Sequence, residues 1–243
     1  MAIRGLLLDF YGTVVHDDED AVDAVCARVA ATTGVPHDEV AHTWWRDYCA
    51  LADDAQGSSY RRLRDLARDS LGRTVAALAP GHRGLDLDEL VAPMYAYWST
   101  PDPYPDALTF LADPPVPVCL VSDVDDADLA ASLDRLGLDL PAVTSERSRA
   151  YKPAAPSFDL ALELLGLGPD DVAHAGDSLT SDVTGANARG IRSVWVNRTG
   201  RPAPTRGPLP TWTVPDLAGL GDLLRGDVAA PVTALRPGAV STT

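Results

Sequence analysis

Asp9 closes the apolar start of residues 3–15, IRGLLLDFYGTVV, and Gly12 and Thr13 follow it after Phe10 and Tyr11. A carboxylate at the end of a buried strand can meet a charged ligand there, because the glycine permits a tight turn whose N–H groups face an anion. The same stretch also fits an aspartate that merely caps its own turn. Two later apolar runs end in a similar way: VPVCLV gives way to Ser122 and Asp123, and VAHA to Gly176, Asp177 and Ser178. Between them stands Lys152, the only lysine against nineteen arginines, with Pro153 directly after it. Taken alone, such a lysine is ordinarily a solvated surface charge. If the three runs are adjacent parallel strands, their polar ends share the carboxyl edge of one sheet, where open α/β sheets place ligands, and the Lys152 loop joins them.

The elements that must hold these residues follow from the spacing of apolar positions. Leu6, Leu7 and Leu8 run without polar alternation, the mark of a strand covered on both faces. Residues 16–100 show helical spacing only. Helices are predicted over 20–33, from 37 or 38 to the Gly57 break, along the stripe Tyr60, Leu63, Leu66 and Leu71, and over 87–97. Prolines 101, 103 and 105 mark a return to strand and helix alternation. Strands are predicted at 116–121, 172–175, 193–196 and near Trp212. Helices are predicted at 126–136, 155–165, 182–189 and 216–224, with a loop over 145–153. That order predicts an α/β fold, a doubly wound parallel sheet of Rossmann-like type with an inserted α-helical unit. The expected division is a core of 1–15 and 101–225, a helical cap of 16–100 and a loose tail of 226–243.

Composition narrows the classes of partner. With 46% hydrophobic residues in 243, the chain can bury a full core. A net charge of −15 argues against nucleic acid and against anionic membrane. No run reaches membrane-spanning length and no signal segment is evident, so a cytoplasmic protein is expected. Cys26, Cys49 and Cys119 fit neither a zinc site nor a disulfide framework and read as reduced packing residues.

The stretches DFYGTVV, VSD, YKP and GDSLTSDVTGA occur in the order of the four motifs of the haloacid dehalogenase-like hydrolase superfamily, which the chain resembles to about Leu224. The helical insert resembles the mobile cap of the members whose cap follows the first motif. The resemblance implies that Asp9 is the nucleophile and that Ser122 and Lys152 hold the substrate anion. It also implies Mg²⁺ held by Asp9, the Tyr11 carbonyl and Asp177, with Asp182 and Ser178 in support, and substrate contacts from the turn of Tyr11, Gly12 and Thr13 and from Asp123 on the second strand end. Carboxylate attack on phosphorus is feasible when a divalent ion and a lysine offset the phosphoryl charge.

Two features depart from the phosphatase pattern. Phosphatases of the superfamily carry an acid at the position of Tyr11, and its loss removes general acid catalysis typically worth ~10²–10⁴-fold. Tyrosine there, TWWRDY around Arg46 and WVNRTG at 195–200 resemble the 2-haloacid dehalogenases, whose cap arginine binds substrate. Those dehalogenases have serine and asparagine where this chain has Asp177 and Leu179, and asparagine where it has Asp123. The expectation is a Mg²⁺-dependent phosphatase acting on a small anionic metabolite, as a monomer or homodimer. The alternatives are a metal-free 2-haloacid dehalogenase and a catalytically weak binding protein of the same fold.

Overall fold

The computed structural model describes residues 2–203 and 205–226. The tail expected at 226–243 therefore lies, beyond Gly226, outside the described residues. The first strand, β1 (Gly5–Leu8), is fully buried. Leu7 packs with Cys119, Val121, Phe158 and Ala161 on one face, while Leu6 and Leu8 pack with Phe110, Leu129 and Leu217 on the other. That division is why the run needs no polar alternation.

After β1 come four helices, α1 (Glu19–Thr33), α2 (His37–Asp54), α3 (Leu63–Leu78) and α4 (Leu87–Ser99). Gly34 ends α1 in the left-handed conformation, and the Asp86 carboxylate caps α4 by accepting from the N–H groups of Asp88 and Glu89. Helix α2 packs chiefly on α3, and α4 lies against α1 and α3. The chain then forms α5 (Pro105–Ala112), β2 (Val118–Ser122), α6 (Asp126–Leu136), β3 (Ala142–Thr144) and the single turn α7 (Ser145–Ser148). It finishes with α8 (Ala155–Leu165), β4 (Val172–Gly176), α9 (Thr184–Ala188), β5 (Arg192–Val196), β6 (Trp212–Val214) and α10 (Leu217–Arg225).

Among the described residues six strands pair in parallel in the order β3-β2-β1-β4-β5-β6. The chain builds outward from β1 in one direction and then from β4 in the other, so the order reverses between these neighbours. Crevices at such reversals lie beyond the carboxyl ends of the strands. Here Asp9 follows β1 and Asp177 follows β4.

Three local expectations change. The predicted loop at 145–153 is preceded by the strand β3 and begins as the helical turn α7, capped by Thr144 Oγ1, which accepts from the Arg147 N–H. Helix α5 starts at Pro105, a proline that reads as punctuation but suits the first helical turn, where no N–H is needed. The helix predicted at 182–189 is a wide π turn over Leu179–Val183 followed by the short α9. The wide turn lets the Asp182 carboxylate reach back and accept from the Ser178 N–H at 3.0 Å.

Candidate active site

The Asp9 N–H donates to the Ala175 carbonyl at 2.9 Å, which fixes the residue to the end of the neighbouring strand. The chain then turns sharply, with the Phe10 carbonyl accepting from the N–H groups of Val14 and Val15. Gly12 has φ +80°, and a Cβ there would stand 2.8 Å from the Asp177 carboxylate. Glycine is thus required twice, for its backbone angle and for the close approach.

Lys152 lies against these strand ends with its side chain 3% exposed. Its Nζ donates to Asp9 Oδ1 and to Asp182 Oδ1, each at 2.6 Å. Its backbone N–H donates to Asp123 Oδ1 at 2.9 Å. Burial opposes the ammonium charge, but Asp182, Asp9 and Asp123 together hold its pKa well above the ordinary value. Burial would likewise raise Asp182, yet Lys152 and His174 reverse that and keep it ionised. His174 Nε2 is 2.9 Å from Asp182 Oδ1 and donates when that nitrogen carries the proton. Burial keeps the ring neutral by lowering its pKa.

Asp182 thus has both oxygens engaged, one by Lys152 and His174 and the other by Ser178. Asp177 does not. Its backbone carbonyl accepts from Trp195 Nε1 and Arg201, while its carboxylate has, among the described residues, Arg201 at 3.7 Å. Ligand atoms of Asp9, Asp177 and Asp182 all lie within 4.8 Å of one another. The electrostatic cost falls on the first two. Burial raises Asp9, Lys152 works against the rise, and Asp182 and Asp177 add to it. Burial, then Asp182 and Asp17, push Asp177 to about 7. Asp123 is pushed to about 6, mainly by burial.

Two buried hydroxyls, Ser122 Oγ and Thr13 Oγ1, have no hydrogen-bond partner among the described residues. An unmet buried hydroxyl costs about 1–3 kcal/mol, so a pair at this edge fits a site meant to receive ligand oxygens. The Tyr11 hydroxyl is engaged elsewhere, donating to the Trp98 carbonyl, and burial drives its pKa upward. It is no proton donor for a leaving group. Ser178 hydrogen-bonds locally with Thr180 and Ser181.

Arg46, expected to face the substrate, is not brought here. Its guanidinium is mostly exposed and binds Asp47. Two residues past the buried Trp44, it lies on the opposite side of α2, since each helical residue turns about 100°. His174 was not picked out by the sequence, because within VAHAG it reads as part of a buried strand. Its only signal is being the one polar residue of that strand.

Beside these groups a cavity of ≈ 250 Å³ opens between Tyr11, Asp123 and the helices α2 and α4, walled by Trp44, Tyr48 and Trp98. Asp18 on this wall accepts from Trp98 Nε1 at 2.8 Å and is raised to about 6, chiefly by burial. A second opening of ≈ 560 Å³ leads to Gly12 and Asp177 past Arg198 and Arg201.

The (S)-2-haloacid dehalogenase of Pseudomonas sp. strain YL is 24% identical over 234 residues, covering 91% of this chain and 94% of that protein. Mouse N-acylneuraminate-9-phosphatase is 36% identical over 84 residues, 34% of each chain, so the match spans about a third of that relative. Among solved structures, the L-2-haloacid dehalogenase from Xanthobacter autotrophicus superposes with a TM-score of 0.68 at 22% identity, covering 92% of this chain and 99% of that one. A phosphatase from Thermococcus onnurineus does so at 0.61 and 23% identity, covering 92% and 99%. These likenesses speak to the fold. The family described as haloacid dehalogenase-like hydrolase matches residues 3–190, most of the chain. The protein belongs to the haloacid dehalogenase-like hydrolases.

Proposed function

We propose that the protein is a Mg²⁺-dependent phosphatase of small phosphate monoesters, with Asp9 as nucleophile and residues 16–100 as a cap over the site. The observation that carries this reading is Asp177, a partly buried carboxylate set against Asp9, whose nearest cation among the described residues is Arg201 at 3.7 Å. Two carboxylates and a nearby peptide carbonyl form a hard oxygen donor set of the kind Mg²⁺ accepts with retained waters. Asp9, Asp177 and the Tyr11 carbonyl would hold the ion. When bound, Mg²⁺ supplies positive charge beside the phosphoryl oxygens and relieves the repulsion between Asp9 and Asp177.

The remaining steps belong to the chain itself. Lys152 and the hydroxyls of Ser122 and Thr13 bind phosphoryl oxygens, and Lys152 is kept charged and aimed by Asp182, which His174 and the Ser178 N–H orient in turn. Asp9 Oδ2, to which no described residue donates, attacks phosphorus as the ester P–O bond breaks. The departing alkoxide takes its proton from water, since Tyr11 cannot give one. Water then attacks the phosphorus of the aspartyl phosphate, releasing inorganic phosphate and restoring Asp9.

Dehalogenation is the competing reading, favoured by the relative that matches 91% of the chain. A departing halide needs donors and cations, whereas Asp123 and Asp177 set carboxylates at this edge. The deciding assay measures phosphate release from p-nitrophenyl phosphate with Mg²⁺ or EDTA, and chloride release from 2-chloropropionate under the same conditions. Phosphate release that EDTA stops is expected. Chloride release indifferent to EDTA, without phosphate release, overturns the reading.

A further inference from the structure

The cavity beside the site has an unusual balance of walls. Its large surfaces are aromatic: Trp44, Tyr48 and Trp98, with Trp45 at the rim. Trp45 is 66% exposed, and its indole stacks on Tyr48 with ring centroids 5.8 Å apart. The charged residues in its lining are Asp17, Asp18 and Asp123, with no basic side chain among the described residues that line it. Asp123 accepts from the Lys152 backbone N–H and feels the Lys152 charge, whereas among the described residues the side chain of Asp18 meets the neutral indole of Trp98 and the nearby Asp17. Asp17 and Asp18 stand between this cavity and the second opening, and Arg198 and Arg201 lie on that far side, where Arg198 is held by Asp106 and Arg201 lies over Trp195.

Such a cavity repels an anionic group. A neutral apolar group would fill it but leave the carboxylates uncompensated. A substituted ammonium satisfies both features at once, because its charge meets Asp17 and Asp18 while its alkyl groups lie on indole and phenol faces, which attract cations. Ser122, whose buried hydroxyl is unpartnered, directly precedes the cavity-lining Asp123, so a ligand held by its oxygen at the strand ends would extend its other end into this space.

We infer that this cavity binds a substituted ammonium group, so that the substrate is the phosphate monoester of an amino or quaternary-ammonium alcohol. The identity of the ester rests on the phosphatase reading; the ligand class of the cavity does not. The reaction is ammonium-alkyl phosphate plus water giving the ammonium alcohol and inorganic phosphate. The P–O(alkyl) bond breaks, a P–O bond to Asp9 forms and is then hydrolysed, and the alkoxide is protonated by water. A positive charge two carbons from the ester oxygen also stabilises that alkoxide, which suits a site where Tyr11 supplies no acid.

The test has a binding arm and a turnover arm. Tryptophan emission of the full chain is titrated with tetramethylammonium chloride, sodium acetate and 3,3-dimethylbutan-1-ol at constant ionic strength. A saturable change with the ammonium, at concentrations at least about tenfold below any change with the other two, is expected. In turnover, kcat/KM for phosphocholine is compared with that for 3,3-dimethylbutyl phosphate, its neutral isostere, with p-nitrophenyl phosphate as a general ester. A ratio of about tenfold or more in favour of the cation is expected, falling severalfold in Asp18→Asn, which keeps an acceptor for Trp98 but loses the charge. Equal rates for the isosteres, or an emission response that does not distinguish ammonium from acetate, overturns the inference. Ammonium binding without phosphate release from any ester instead overturns the phosphatase reading and leaves the cavity assignment standing.

Discussion

At the scale of single residues, the site is a problem of charge shared among carboxylates. Asp9→Asn keeps the volume and removes the nucleophile, so turnover is expected to fall by at least roughly 10³-fold with the thermal midpoint preserved. A variant retaining several per cent of the rate, shown by mass to be free of reversion to Asp, removes Asp9 from that role. Gly12→Ala meets two obstacles, a left-handed backbone angle worth about 1–2 kcal/mol and a Cβ pressed on Asp177. Its expected signature is a higher Mg²⁺ concentration for half-maximal rate, and an unchanged Mg²⁺ dependence counts against Asp177 as a ligand. Proton linkage gives a third test. Asp177 and Asp123 stand at about 7 and about 6 in the fold, against an ordinary 3.8. Groups raised in this way bind protons more tightly when folded, so their contribution is full below about 4 and is lost as pH rises through 6 to 7. Holding Mg²⁺ requires the ionised forms, so the rise in thermal midpoint on adding Mg²⁺ should be larger at pH 8 than at pH 5. Equal shifts speak against a carboxylate-held ion. The residues concerned were legible because each ends an apolar run. Arg46 was proposed on a local likeness, TWWRDY to a dehalogenase cap segment, and such a likeness does not fix which side of the helix the guanidinium takes; here it lies exposed on Asp47.

Among the elements, the join between the helical unit and the sheet is the point of interest. Asp125 precedes α6 but does not cap it. Its carboxylate instead accepts from the N–H groups of Leu63 and Arg64, at 2.8 and 3.3 Å, and so caps α3 across the boundary. Arg64 then binds the buried Asp128 of α6, and the Tyr151 hydroxyl donates to the Arg61 carbonyl at 3.0 Å. Asp125→Ala is expected to cost about 1 kcal/mol or somewhat more, the usual worth of an N-cap, and to raise hydrogen exchange at the start of α3 above that of α8. Uniform exchange across both helices would show that this contact does not seat the unit. Sequence patterning found the long helices, where an apolar stripe repeats several times. It passed over β3, with three residues, and α5, which opens on the last of three closely spaced prolines and so looks like interruption, since neither gives a period time to repeat. The cross-boundary cap was invisible for another reason: its partners are 62 positions apart.

For the whole molecule, the decisive feature is the place of β1 in the middle of the sheet. Synthesis proceeds from the N-terminus, so this strand emerges before both of its neighbours, which begin at Val118 on one side and Val172 on the other. The four helices that follow can form from local contacts while it waits, but an apolar GLLL segment with both edges open has no lasting partner until more than a hundred further residues have been made. Contacts of such separation are slow to form, and unpaired strands of this composition invite association between chains. The nascent protein therefore has its greatest exposure to aggregation between completion of the helical unit and arrival of β4. The strand that leads into Asp9 leaves the ribosome well before either of its neighbours and must wait for both before it is sheltered.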